Sequence, residues 1–65
     1  MSEVETISMS RDELEAFKLC DRDDLTQEEA GLRMGVSRGT VQRILASARK
    51  KAAAALSKGR AIVFE

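Results

Sequence analysis

From Ser37 to Gly59 nothing in the chain stops a helix: proline is absent throughout, and the one glycine in between is Gly39, close to the start. Within that run Val41, Leu45, Ala48, Ala52 and Ala55 recur at steps of four, three, four and three, and Ile44 and Leu56 widen the stripe. That spacing gathers side chains on one side of an α-helix. Ser37 offers a hydroxyl to the unpaired amides of the first turn, and Gly59 takes the left-handed backbone angle that ends a helix. Gly39 weakens this helix by up to ~1 kcal/mol relative to alanine without breaking it. So long a helix in a chain of 65 residues dictates the rest. The remaining segments must be short, and they must cover its apolar side.

Two of those segments announce their own starts. Ser10-Arg11-Asp12-Glu13 has the form of a capping box, with a hydroxyl for the amide three residues on and a carboxylate reaching back. It opens a first helix with Leu14, Phe17 and Cys20 on its buried side. The acidic stretch Cys20–Asp24 ends that helix, and Leu25 anchors the loop. Thr26-Gln27-Glu28-Glu29 repeats the pattern and opens a second helix of about two turns, which stops at Gly35. Val4–Ser8 and Ala61–Glu65, the latter with Ile62, Val63 and Phe64, suit short strands unless they are frayed ends. Two strands alone are marginal in water, so they should pair with each other, within one chain or across a dimer. The expected fold is an all-α, three-helix helix-turn-helix domain over residues 1–65, with a long third helix and short terminal strands.

At this size a single core supplies only roughly 3–5 kcal/mol, so a homodimer is expected. The longest unbroken apolar run, Ala52–Leu56, is far too short for a bilayer, and Met1–Ser10 carries acids where a secretory signal carries bases and then apolar residues. A cytoplasmic protein without a membrane partner is the expectation. With one cysteine and no histidine, no internal disulfide, no zinc ligand set and no common general base can be assembled. No catalytic residue, metal site, cofactor or enzymatic activity is therefore expected. Cys20 reads as a small core or half-buried residue, and Asp21, Asp23 and Asp24 as a solvated loop rather than a cation site.

Eleven bases balance eleven acids, but they are segregated: ten of the acids fall in residues 1–30 and eight of the bases in residues 31–65. A polyanion would be drawn to the second half and repelled by the first, which would orient its binding. The alternative is that the two halves pair with one another.

Gln27–Ala46 reads QEEAGLRMGVSRGTVQRILA. Ala30, Met34, Val36, Val41 and Ile44 stand where a helix-turn-helix needs apolar residues. Gly31 is small where the two helices approach, and Gly35 lies in the turn. The wider run from Asp12 to Ile62 resembles an uncharacterised prokaryotic family, domain of unknown function 134. The most specific pieces are Asp12-Glu13-Leu14-Glu15-Ala16, Thr26-Gln27-Glu28-Glu29-Ala30, Arg33-Met34-Gly35-Val36-Ser37-Arg38, and the segment from Arg43-Ile44-Leu45 to Ala48-Arg49-Lys50. The resemblance implies DNA binding through a helix-turn-helix similar to region four of sigma factors, with no known target.

In that geometry the second helix of the motif enters the major groove with its N-terminal part at the base edges. With Val41 and Leu45 inward, the opposite side presents Gly39, Gln42, Arg43, Ala46, Arg49 and Lys50. Gln42 suits an adenine edge, and Arg43 or Arg38 a guanine edge, because amide and guanidinium each offer paired hydrogen bonds. Ser37 and Thr40 at the helix start suit a phosphate, Gly39 permits close approach, and Arg49, Lys50 and Lys51 should hold the backbone. The expected function is sequence-specific binding of double-stranded DNA by a small dimeric transcription regulator. One alternative is a protein-interaction module resembling sigma region four, in contact with RNA polymerase or a regulator, its 41–55 stripe feeding a helical partner. Another is a thiol enzyme using Cys20.

Overall fold

Each of the three hydroxyl caps starts a helix in the computed structural model, which describes residues 5–65. Ser10 opens α1 (Arg11–Phe17) and Thr26 opens α2 (Gln27–Met34), both through complete capping boxes with Glu13 and Glu29. Ser37 opens α3 (Arg38–Lys58) by accepting from the Thr40 amide. Two glycines end helices in the left-handed conformation, Gly35 at φ 72° after α2 and Gly59 at φ 62° after α3. A side chain at either φ would be strained.

The strands are β1 (Thr6–Met9) and β2 (Ala61–Phe64), paired in parallel within one chain with Ile7 opposite Ile62 and Met9 opposite Phe64. Parallel neighbours need a long crossover, and here the whole helical body supplies it. The first strand runs one residue further than the alternation of Val4–Ser8 suggests, and Met9 is its deeply buried member. Val4 lies outside the described residues.

The core gathers where α1 and α2 meet α3. Ala16, Leu19, Ala30, Val41 and Leu45 are buried together, flanked by half-buried Phe17, Cys20, Leu25, Met34 and Ile44. Further along α3, Ala48, Ala52 and Ala55 are also buried. Five stripe positions read from periodicity thus face inward. Leu56 does not: it is 86% exposed although its neighbour Ala55 is buried, because the elements that cover Ala55 do not reach round to its side of the helix. Val36 in the turn is likewise exposed.

The first helix departs most from its expected form. Its buried positions are Glu13, Ala16 and Leu19, while Leu14, Phe17 and Cys20 are only half covered. After Phe17 the coil widens into a π-helical segment, Lys18–Arg22, closed by the Asp23 amide donating to the Lys18 carbonyl at 3.0 Å. Asp24 then reverses the chain at φ 59°, a left-handed angle that aspartate tolerates better than most residues. The Leu25 amide donates to the Leu19 carbonyl at 2.9 Å and ties the loop back. No helix among the described residues is long and apolar enough to cross a membrane.

Candidate nucleic-acid interface

Helix α3 contains no acid, and six cations lie along it: Arg38, Arg43, Arg49, Lys50, Lys51 and Lys58. Its stripe is turned inward, so the residues about half a turn away must face solvent. Gly39, Gln42, Arg43, Ala46, Arg49 and Lys50 are all exposed. Glycine and alanine at 39 and 46 leave the surface low between the longer side chains. A Cβ at Gly39 would meet no atom within 4 Å.

What orients this face is the seating of α3 on α2. A Cβ on Gly31 would stand 2.7 Å from the Val36 carbonyl oxygen, so only glycine permits the approach. The same backbone is fastened by the Val36 amide donating to the Gly31 carbonyl at 2.9 Å. At the start of α3 the Ser37 hydroxyl accepts from the Thr40 amide at 3.2 Å, and the two hydroxyls lie 3.0 Å apart. Arg43 Nη2 donates to Thr40 Oγ1 at 3.4 Å. Ser37, Thr40 and Arg43 thus form one connected row at i, i+3 spacing. The first-turn amides of Arg38 and Gly39 have no carbonyl one turn back to bond. Thr26, Gln27, Glu28 and Arg38 line a shallow hollow where the starts of α2 and α3 come together.

The cations expected to grip a backbone do not form one patch. Successive residues on a helix stand about 100° apart, so Arg49 and Lys51 point to opposite flanks of α3. Arg49 donates through Nε and Nη2 to the two carboxylate oxygens of Asp21, at 2.9 and 2.7 Å. That pairing holds the Asp21 carboxyl below its usual range and raises the Arg49 guanidinium. Lys51 Nζ donates to Glu13 Oε1 at 2.8 Å. Arg60 pairs with Glu5. The two oppositely charged halves of the chain therefore do pair in part, at three points. Arg38, Arg43, Lys50 and Lys58 form no ion pair among the described residues.

Sequence reasoning missed Glu13 as the buried centre of a hydrogen-bond network. Its Oε1 also accepts from the Ser10 amide at 2.8 Å, and its Oε2 accepts from the Ser47 hydroxyl at 2.5 Å. Lys51 foremost, then Ser10 and Ser47, bring its pKa down to about 2 against the opposing effect of burial. The capping box flagged Glu13, but its second task shows only once α3 lies beside α1. Cys20 sits half-buried as a free thiol, pushed up by burial and then by the charge of Asp21. A nucleophilic thiolate needs the opposite shift. Asp23 is occupied by Arg22.

Fold and face together define a small helical domain closed by a two-stranded parallel ribbon, with one acid-free helix that turns a cationic face outward. The chain belongs to the family described as protein of unknown function DUF134, whose model matches residues 1–65. It is 60% identical over 58 residues to a UPF0251 protein of Thermococcus kodakarensis, a match covering 89% of this chain and 51% of that one. A UPF0251 protein of Pyrococcus furiosus is 58% identical over 58 residues, covering 89% and 54%. One of Clostridium acetobutylicum is 53% identical over 62 residues, covering 95% and 43%. The chain spans about half the length of these curated relatives. No solved structure matches it.

Proposed function

We propose that α2 and α3 act as a helix-turn-helix that reads double-stranded DNA, and that the protein works as a dimeric transcription regulator. The observation that carries this reading is the exposed, acid-free outer face of α3, with Arg38, Arg43 and Lys50 outside any ion pair among the described residues. In this reading Arg43, steadied by Thr40, and Gln42 address base edges, while Gly39 and Ala46 let the groove come close. Ser37, Thr40 and the first-turn amides meet one phosphate, and Arg38 and Lys50 meet others. Arg49 contributes through whatever donor its pairing with Asp21 leaves over. Lys51, half-buried and taken up by Glu13, holds α1 on α3.

The competing protein-interaction reading draws on the resemblance to sigma region four and on the 41–55 stripe, of which Val41, Leu45, Ala48, Ala52 and Ala55 are buried within the chain. Titrating duplex binding with salt separates the two. A DNA reader weakens steeply as counterions return to the phosphates, whereas a mainly apolar interface, as with a polymerase subunit, barely responds. A flat salt response, or no duplex binding at low salt, defeats the proposal. Selection of bound sites from random duplexes should return a palindrome, the mark of two-fold symmetry.

A further inference from the structure

The ribbon of β1 and β2 has two open edges, and no third strand lies against either among the described residues. Which backbone groups face each edge follows from parity. The Ala61 amide donates to the Glu5 carbonyl at 3.2 Å and the Glu65 amide to the Met9 carbonyl at 3.0 Å. Odd-numbered residues from 61 to 65 therefore turn their amides toward β1. The amides and carbonyls of Ile62 and Phe64 point away, to the open edge of β2. On the opposite edge the same parity turns out the backbone of Thr6 and Ser8.

The two edges differ in kind. That of β1 carries hydroxyl residues on its outer face. That of β2 carries Ile62, Val63 and Phe64, with Val63 48% and Phe64 53% exposed. A bare apolar edge of this sort is a template for another strand. It begins after a cation, Arg60, which pairs with Glu5, and ends at an anion, Glu65, whose carboxylate accepts from the Ser8 hydroxyl. Two copies laid antiparallel bring unlike ends together, whereas a parallel arrangement brings like ends together.

We infer that β2 is the dimer interface: two copies join edge to edge, antiparallel about a two-fold axis through Val63, into the four-stranded sheet β1-β2-β2-β1. Ile62 of each copy then stands opposite Phe64 of the other. Both outward-facing residues exchange amide and carbonyl bonds, four in all, and the register uses every free group of the strand. Val63 meets its own copy as a non-hydrogen-bonded pair, the closest approach in an antiparallel ladder. That position suits a β-branched side chain. This inference rests on the dimeric part of the proposed function and not on DNA recognition, and it is tested without DNA.

Amide hydrogen exchange and sedimentation equilibrium, run together on the whole chain over a hundredfold range of concentration, decide it. The expected result is a monomer–dimer equilibrium in which the Ile62 and Phe64 amides become protected as dimer forms. Val63 and Glu65, bonded to β1, should be protected at every concentration. Phe64→Pro takes one outward donor, and with it the phenyl ring, from the free edge and none of the amides bonded to β1, a substitution that edge strands accept. It should weaken the dimer about tenfold or more while leaving the Val63 protection in place. A monomer at every concentration overturns the interface. So does a dimer in which Thr6 and Ser8 gain protection instead, or one that Phe64→Pro leaves unchanged. DNA binding can fail while these results stand, and these results can fail while DNA binding stands.

Discussion

Glu13 is a surface-type residue put to interior use. Three donors, the Ser10 amide of its own capping box, the Ser47 hydroxyl and the Lys51 ammonium, converge on one carboxylate. Among the described residues no buried side-chain nitrogen or oxygen lacks a partner. Because its pKa falls from 4.5 to about 2 on folding, the charged form is favoured in the folded state. The network therefore stabilises fully above about pH 4.5, and its contribution fades as pH drops toward 2. Glutamine keeps the capping geometry and removes the charge. Glu13→Gln should cost on the order of 2–3 kcal/mol in urea melts at pH 7 and flatten the loss of stability between pH 4.5 and 2. An unchanged acid limb would show that Glu13 gains nothing from Lys51. Arg43 supplies the matching functional case. Arg43→Ala should weaken binding to a selected duplex by about 1–3 kcal/mol and relax preference at one base pair. Equal loss on every sequence would assign Arg43 to a phosphate instead.

At the scale of elements, what could be read in advance was whatever local chemistry decides. Caps at Ser10, Thr26 and Ser37, stops at Gly35 and Gly59, and the stripe from Val41 to Ala55 depend on residues within one turn of each other, and all appear where the sequence put them. What depends on a distant neighbour was not legible. The burial of Glu13, the π-helical turn after Phe17 and the capture of Lys51 require α1 and α3 to be side by side. Exposure of Leu56 beside buried Ala55 follows from how far round α3 the covering elements reach, which periodicity cannot reveal. The candidate face was readable in the same measure: Gln42, Arg43 and Lys50 follow from helical phase, whereas the pairing of Arg49 with Asp21 joins residues far apart in the chain. Two glycines give this scale a pair of opposite tests. Gly31→Ala forces a methyl to 2.7 Å from a fastened carbonyl and should destabilise by about 1–3 kcal/mol in thermal or urea melts. Gly39→Ala meets open space inside a helix and should stabilise by about 0.5–1 kcal/mol in the same melts. In the proposed interface that same methyl meets the DNA, so duplex affinity should fall as stability rises. Stability and affinity rising together would remove Gly39 from the contact.

The whole molecule is drawn out, 45 Å in its long dimension against 19 and 16 Å across. From Thr40, at the candidate face, to Ala55, the last buried residue of the helix, is about 22 Å at 1.5 Å per residue. The proposed duplex-reading end and the proposed dimer edge are thus held apart by one helix, and neither surface need yield to the other. Charge is arranged on the same scale. Acids of the first half neutralise the flanks of α3 through Glu13 and Asp21 and leave its outer face positive, so a polyanion is offered one orientation. With Arg38 and Lys50 available to phosphate and Arg43 assigned to a base edge, the log–log dependence of affinity on salt should have a slope of roughly −2 per copy, and about twice that when two copies bind one site. Asp21→Asn releases Arg49 to the same surface without touching the other three. It should raise affinity at low salt, steepen the slope by about 1 per copy, and leave the preferred sequence unchanged, since a phosphate contact carries no base information. A slope indifferent to Asp21 would place Arg49 beyond reach of the duplex and narrow the interface to the first half of α3.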